Sequence, residues 1–271
     1  MGSTPFSLFI NRNNTIYVAN REKGLIQIWQ NSSVNPTKTI NGSWLNVYSF
    51  FVTTNEEIYV YNYNAGYRID KWTKNENTSI SVLSVGSDCY GLFVDINDNL
   101  YCSMRDLHQV VAKYLNTDVN TFTVVAGTGY EGSTSHTLKY PRGIFVDTNL
   151  DLYVADANNN RIQLFRRGES NATTVVGTGS STISLYVPSG IILDADKYLY
   201  ITDAYNSRIV GQGPNGFRCL VGDNGYGSAS NQLSFPRSLS FDIYGNLFVA
   251  DEWNHRIQKF VLSSNFCGKN R

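Results

Sequence analysis

The chain has 271 residues with 22 Lys+Arg against 22 Asp+Glu, so it carries no net formal charge and is not a basic nucleic-acid module by bulk charge. Charged residues make up 16% of it, against roughly 25% in ordinary globular proteins, while 18 Tyr, 14 Phe and 4 Trp exclude a disordered chain. Thirty Asn and 22 Gly tolerate the positive φ of tight turns, which predicts many turns and many short strands.

The opening residues, Met1-Gly2-Ser3-Thr4-Pro5, lack the basic stretch and apolar core of an export signal, and no apolar window of 18 residues follows, so no membrane span is expected. From there the strands fall into six successive units. The first begins at Pro5-Phe6-Ser7, closes its first segment at Asn11, and continues through Tyr17 and Ile26. The second runs from Val47-Tyr48-Ser49 to Thr53, then Tyr59 and Arg68-Ile69; the third from Cys89-Tyr90-Gly91 to Asp95, then Tyr101 and Val110. The fourth is the clearest: Pro141-Arg142-Gly143 to Asp147, Leu152-Tyr153-Val154-Ala155-Asp156, then Arg161-Ile162. Near copies begin at Pro188 and Pro236, with Leu199-Tyr200-Ile201-Thr202-Asp203 and Leu247-Phe248-Val249-Ala250-Asp251 as their second segments and Arg208-Ile209 and Arg256-Ile257 as their third. In all six, six positions separate the residue closing the first segment from the following aromatic.

Short apolar runs bounded by Asn, Asp and Gly read as strands, and a late β-branched run in each of the first five units adds a fourth: 37–40, 79–82, 121–125, 173–176 and 217–221. A unit of this size cannot close a core by itself; radial repetition lets neighbouring sheets bury one another's faces. The predicted fold is therefore all-β, a six-bladed β-propeller of four-stranded antiparallel blades over residues 1–271, with blades starting near 5, 47, 89, 141, 188 and 236. The slot of the last outer strand falls at 265–269, so the sixth blade is expected to be incomplete.

At Pro-x-Gly, the apolar strand ending in Asp, Tyr-Val-Ala-Asp and Asn-x-Arg-Ile, the chain resembles the NHL-repeat family of six-bladed propellers. The resemblance implies the fold over nearly the whole chain and leaves the function to the site. Some members of that family are substrate readers or RNA binders of ubiquitin-ligase-type proteins, which is one alternative. The RING chemistry of such ligases needs clustered Cys/His that this chain lacks, and zero net charge disfavours RNA. Another alternative is a lyase or hydrolase using the channel, because Leu107-His108-Gln109-Val110 and Ala204-Tyr205-Asn206-Ser207-Arg208 resemble segments of peptidyl-α-hydroxyglycine amidating lyases that hold a zinc-ligating His and a catalytic Tyr. The positions matching that family's remaining zinc ligands are Arg142, Ser189 and Arg237, so neither lyase activity nor a metal is expected.

His108, His136 and His255 fall on one face but in different blades, which argues against a shared ion. The pairs Asp156–Arg161, Asp203–Arg208 and Asp251–Arg256 recur at one spacing and are expected to brace turns. Register from the turn at Asn97-Asp98 pairs residue 93 with about 102, so Cys89, Cys102, Cys219 and Cys267 are expected as free, partly buried thiols; an 89–102 bond would require a bent strand. Five Asn-x-Ser/Thr sequons, at Asn13, Asn31, Asn41, Asn77 and Asn171, weigh toward an extracellular setting.

The expected function is non-enzymatic recognition of a protein, peptide or glycan on the face formed by second-to-third-strand turns and blade linkers, without a cofactor. Aromatic and Arg side chains dominate binding hot spots, and that face gathers Tyr63, Tyr67, Tyr130, Tyr205, Tyr226 and Trp253, with Arg142 and Arg237 at the channel mouth.

Overall fold

The computed structural model describes residues 4–30, 33–42, 44–73, 78–117, 119–179 and 183–262. Strands form six antiparallel sheets in strict chain order, and their first strands are Pro5–Ile10, Phe50–Val52, Cys89–Val94, Ile144–Val146, Pro188–Leu193 and Pro236–Phe241. Five sheets have four strands. The sixth has three, and residues 265–269, expected to supply its fourth, lie outside the described residues. Six apolar clusters hold the ring, each straddling two neighbouring blades: Trp44 and Ile26 pack with Phe50 and Val60, for example, and Leu8 and Val18 with Ala250. This is the architecture of a six-bladed β-propeller.

Sheet one meets sheet six through hydroxyls: the Leu8 and Ile10 amides donate to Ser238 Oγ at 3.2 Å and Ser240 Oγ at 3.1 Å. Near the axis the first strands approach so closely that the glycine of Pro-x-Gly is required. A Cβ at Gly143 would stand 2.2 Å from the Ser189 carbonyl oxygen, and one at Gly190 2.8 Å from that of Arg237.

In blades four to six the predicted Asp–Arg pairs are register partners closing the second hairpin. Each carboxylate is fully buried and spends both oxygens. One accepts the backbone amide of Lys139, Tyr186 or Ser234 on the incoming linker, at 2.6 Å each. The other accepts Arg Nε at 2.7–2.8 Å and the Nδ2 of Asn159, Asn206 or Asn254 at 2.8 Å. The guanidiniums then reach linker carbonyls such as Ser133 and Thr134, Ser184, and Ser228 and Ala229. These groups are committed to shaping turn and linker.

The cysteines correct the expectation drawn from register. Tyr101 pairs with Phe93 and Cys102 with Leu92, as the turn requires, but a bulge follows and Met104 pairs with Cys89. That kink is the bent strand the bond needed, and Cys89 and Cys102 form a disulfide with Cα atoms 5.4 Å apart. Cys219 is free and half-buried, its thiol pushed up to about 11 by burial and Asp223. Cys267, Asn31 and Asn77 lie outside the described residues.

Candidate functional site

The position following each blade's opening residue reads Phe6, Tyr48, Tyr90, Arg142, Ser189 and Arg237 in blade order. These six surround one mouth of the channel. Phe6 meets Tyr48 and Tyr90 edge-on at 5.4 and 6.0 Å, and Tyr48 stacks on Tyr90 at 4.3 Å. The Arg142 guanidinium lies 5.9 Å from the centre of Tyr90, and that of Arg237 5.3 Å from Phe6. A second tier of cations covers the same rings: Arg21 over Phe6 and Tyr48 at 5.6 and 5.5 Å, and Arg105 over Tyr90 and Tyr140 at 5.2 and 4.9 Å. Below the ring a cavity of about 270 Å³ reaches Tyr48, Tyr90, Ser189 and Arg237 and is walled by apolar residues such as Leu8, Leu92 and Ile144.

The arginines at this mouth are not equivalent. Arg237 donates through Nε to the buried carboxylate of Glu252, which also accepts Arg21 Nη1 at 3.4 Å. Arg105 pairs with Asp106 at 2.7 Å, and the Asp88 carboxylate accepts the Tyr61 hydroxyl. Arg142 is 8% exposed, and its Nε and Nη1 have no hydrogen-bond partner among the described residues. Burial and the neighbouring charge of Arg237 push its pKa down to about 10. Burial and Tyr90 raise the Tyr48 phenol, and burial and Asp88 raise that of Tyr61, so neither of these two supplies a counter-charge at neutral pH.

Four of the residues expected at the site converge here. Tyr205 and Trp253 belong to a continuous aromatic ridge on the 3₁₀ turns Ala204–Asn206 and Glu252–Asn254. Its ring spacings are Tyr186–Tyr205 5.3 Å, Tyr205–Phe235 5.1 Å and Phe235–Trp253 3.9 Å, the last stacked. Arg237 touches the inner side of the ridge, 6.0 Å from Phe235. Backbone bonds seat the ridge: the Tyr205 amide donates to Tyr186 O and the Trp253 amide to Ser234 O, at 3.1 Å each. The other four stand apart. Tyr63 and Tyr67 meet edge-on at 5.2 Å on the blade-two turn, and among the described residues their only ring contact is with each other. Tyr130, 79% exposed, and Tyr226 sit on linkers pinned by the bridges Glu131–Leu138 and Tyr226–Leu233.

Sequence reasoning missed Phe6, Tyr48 and Tyr90, although the repeat offset that singled out Arg142 and Arg237 also points to them. It missed Glu252 as well, whose pairing with Arg237 needs the folded turn.

The histidines are used structurally or stand on the surface. His108 Nδ1 accepts the Tyr140 amide at 3.2 Å and meets the Tyr140 ring edge-on at 4.7 Å. His136 Nδ1 lies 3.4 Å from Thr134 Oγ1. His255 holds the same left-handed position in blade six, at φ 54°, that His108 holds in blade three, at φ 49°. Among the described residues no three His, Cys, Asp or Glu side chains cluster as a metal site.

The opposite mouth opens on a larger cavity, about 570 Å³, lined in part by Asp95, Asp147 and Asp194. Those carboxylates accept backbone amides of their own turns at 2.8–3.0 Å, so they shape the loops that carry them.

Residues 138–165 match the NHL repeat. No curated protein matches the sequence. Among solved structures, an auxiliary nutrient binding protein from Bacteroides thetaiotaomicron superposes with a TM-score of 0.74 at 17% identity, over 95% of this chain and 69% of that one. A catalytically inactive virginiamycin B lyase from Staphylococcus aureus, with quinupristin, gives 0.66 at 14% identity over 98% and 83%. A chain of a nidogen/laminin complex gives 0.67 at 15% over 91% and 92%. At such identities the likeness is one of fold.

Proposed function

Taking the chain as an NHL-repeat six-bladed β-propeller, we propose that it is a non-enzymatic recognition module whose 3₁₀-turn face binds a protein, peptide or glycan. The observation that carries this is the aromatic ridge from Tyr186 to Trp253, set beside a mouth ringed by aromatic and Arg side chains. Large rigid rings on a fixed backbone bury area at little entropic cost, which is the composition of binding hot spots. The nutrient-binding protein and the nidogen/laminin chain are binding proteins or parts of complexes built on the same fold, which supports the reading. The fold shared with virginiamycin B lyase raises a channel enzyme as the rival. Against it, the mouth offers Arg142, Ser189 and Arg237 rather than imidazoles, and His108 Nδ1 already holds the Tyr140 amide.

The test is a peptide and glycan array probed with the wild type and with a Tyr205→Ala, Trp253→Ala double variant of unchanged thermal stability. Ligands retained by the wild type and lost by the variant are expected. Equal retention by both proteins, or none by either, discards this face as the binding surface.

A further inference from the structure

We propose that the Arg142 guanidinium is the seat of a carboxylate, presented by an acidic side chain of a peptide that docks on the 3₁₀-turn face. The inference rests on the recognition reading above and adds the chemistry of the ligand.

Burying a guanidinium without a counter-charge is costly, and folded proteins pair or hydrogen-bond such groups. Every other arginine of this mouth has a carboxylate: Arg237 and Arg21 share Glu252, and Arg105 has Asp106. Arg142 lies over the ring of Tyr90 and feels the like charge of Arg237, and its Nε and Nη1 have no acceptor among the described residues. Four guanidiniums therefore face three carboxylates, counting Asp88, and the excess positive charge sits on the most buried of them. Its backbone is fixed: the Arg142 carbonyl accepts Ser103 Oγ and its amide donates to Ala155 O at 2.9 Å. The Arg142 backbone is thus held in place before any ligand arrives.

Between the two ring arginines stands Ser189, the smallest of the six mouth residues, and the cavity beneath is lined by Ser189, Arg237, Tyr90 and Gly143, the residue that follows Arg142. A guanidinium only 8% exposed admits a slim group at the end of a flexible chain. A Glu or Asp side chain meets that limit, while its peptide lies across Tyr205 and the ridge. A sugar acid carries its carboxylate directly on a ring and fits the opening less well.

The test uses blocked peptides carrying one Glu or one Gln in the same neutral sequence, the same neutral peptide as free acid and as amide, and glucuronate. Binding is measured by titration calorimetry, and its location is read by the Arg142 Nε–H resonance of the wild type, assigned by its loss in Arg142→Met. The Glu peptide is expected to bind about ten-fold tighter than its Gln counterpart, the difference vanishing in Arg142→Met. Arg142→Met is expected to keep or raise the melting temperature, since it removes an unpaired buried charge; Arg237→Met, which strips Glu252 of its nearer partner, is expected to lower it.

Equal binding of the Glu and Gln peptides, or no binding by any peptide at millimolar concentration, overturns the proposal. So does a melting temperature lowered by Arg142→Met, which would mean that the protein itself satisfies the charge. Binding confined to the free-acid terminus or to glucuronate overturns the side-chain source. If these peptides fail while the Tyr205→Ala, Trp253→Ala variant still loses its array ligands, the recognition reading survives and only the carboxylate seat falls.

Discussion

Blades four to six and blades one to three are built on one repeat but secured differently. The later three close each second hairpin with the same Asp, Asn and Arg, and each carboxylate also fastens the incoming linker. In the earlier three, the position of that Asp holds Asn20, Asn62 and Met104. Blade two substitutes a local cluster in which Asp70 takes Asn62 Nδ2 at 2.7 Å and Arg68 at 2.6 Å. The third has the disulfide, and Trp44 against Trp72, 6.1 Å apart, fills the joint between the first two. The mouth divides along the same line, with Phe6, Tyr48 and Tyr90 on the early half and Arg142, Ser189 and Arg237 on the late half. What recurs in this chain is the brace, and what differs from blade to blade is the surface offered to a ligand. A motif repeated in every strong unit therefore points to architecture.

The most damaging way to break the comparison is to remove one brace. Asp156→Ala leaves the buried Arg161 without its counter-charge and its Nε and the Lys139 amide without their acceptor, and is expected to cost about 3–5 kcal/mol in denaturant unfolding. A loss under about 1 kcal/mol, the scale of an exposed pair, would show that the brace is ornamental.

On the early half, the matching intervention is reduction of Cys89–Cys102. Thirteen residues separate the two in sequence, and freeing so short a loop is expected to remove about 3 kcal/mol. Thermal unfolding with and without reductant measures it, and coincident curves would leave blade three held by packing alone.

The finest comparison concerns the same repeat position in the two halves. Gly143→Ala forces a Cβ to 2.2 Å from the Ser189 carbonyl oxygen and should cost about 1–3 kcal/mol by overpacking. Ser49→Ala, the equivalent change in blade two, loses the Ser49 Oγ to Cys89 O hydrogen bond of 2.8 Å and should cost about 1 kcal/mol. If the serine variant proves the more damaging, the axial crowding inferred for the late half is not what fixes that glycine.

The repeat offset made the blades legible because a period survives divergence of any single residue. Asp156, Asp203 and Asp251 were equally readable, since spacing alone makes each the register partner of an Arg. The disulfide was not, because it depends on a bulge between Cys102 and Met104 that no turn signal announces. The aromatic half of the mouth was within reach of the same offset. The inequality of Arg142 and Arg237 was not: one carboxylate, Glu252 of the last blade's turn, pairs with Arg237 and Arg21 and leaves Arg142 without a partner for Nε and Nη1 among the described residues. That pairing is decided by turn geometry rather than by spacing.

The hydroxyl bonds from Ser238 and Ser240 to Leu8 and Ile10 have a kinetic meaning. Among the described residues, successive blades are joined by a linker at five of the six joints, and the joint between the last blade and the first is held by these bonds, by the Arg21–Glu252 ion pair, by the Ile243 amide on Asn14 Oδ1 and by side-chain packing. Its partners are 230 residues apart. Loop-closure entropy grows only with the logarithm of length, so bringing them together costs about 5 kcal/mol, far less than so long a separation suggests. That cost falls on a single event, and the contacts that repay it form only once the intervening blades stand in place. The ring thus behaves as a clasp bracelet, whose fastening joins the two ends of the chain's blade order at one seam.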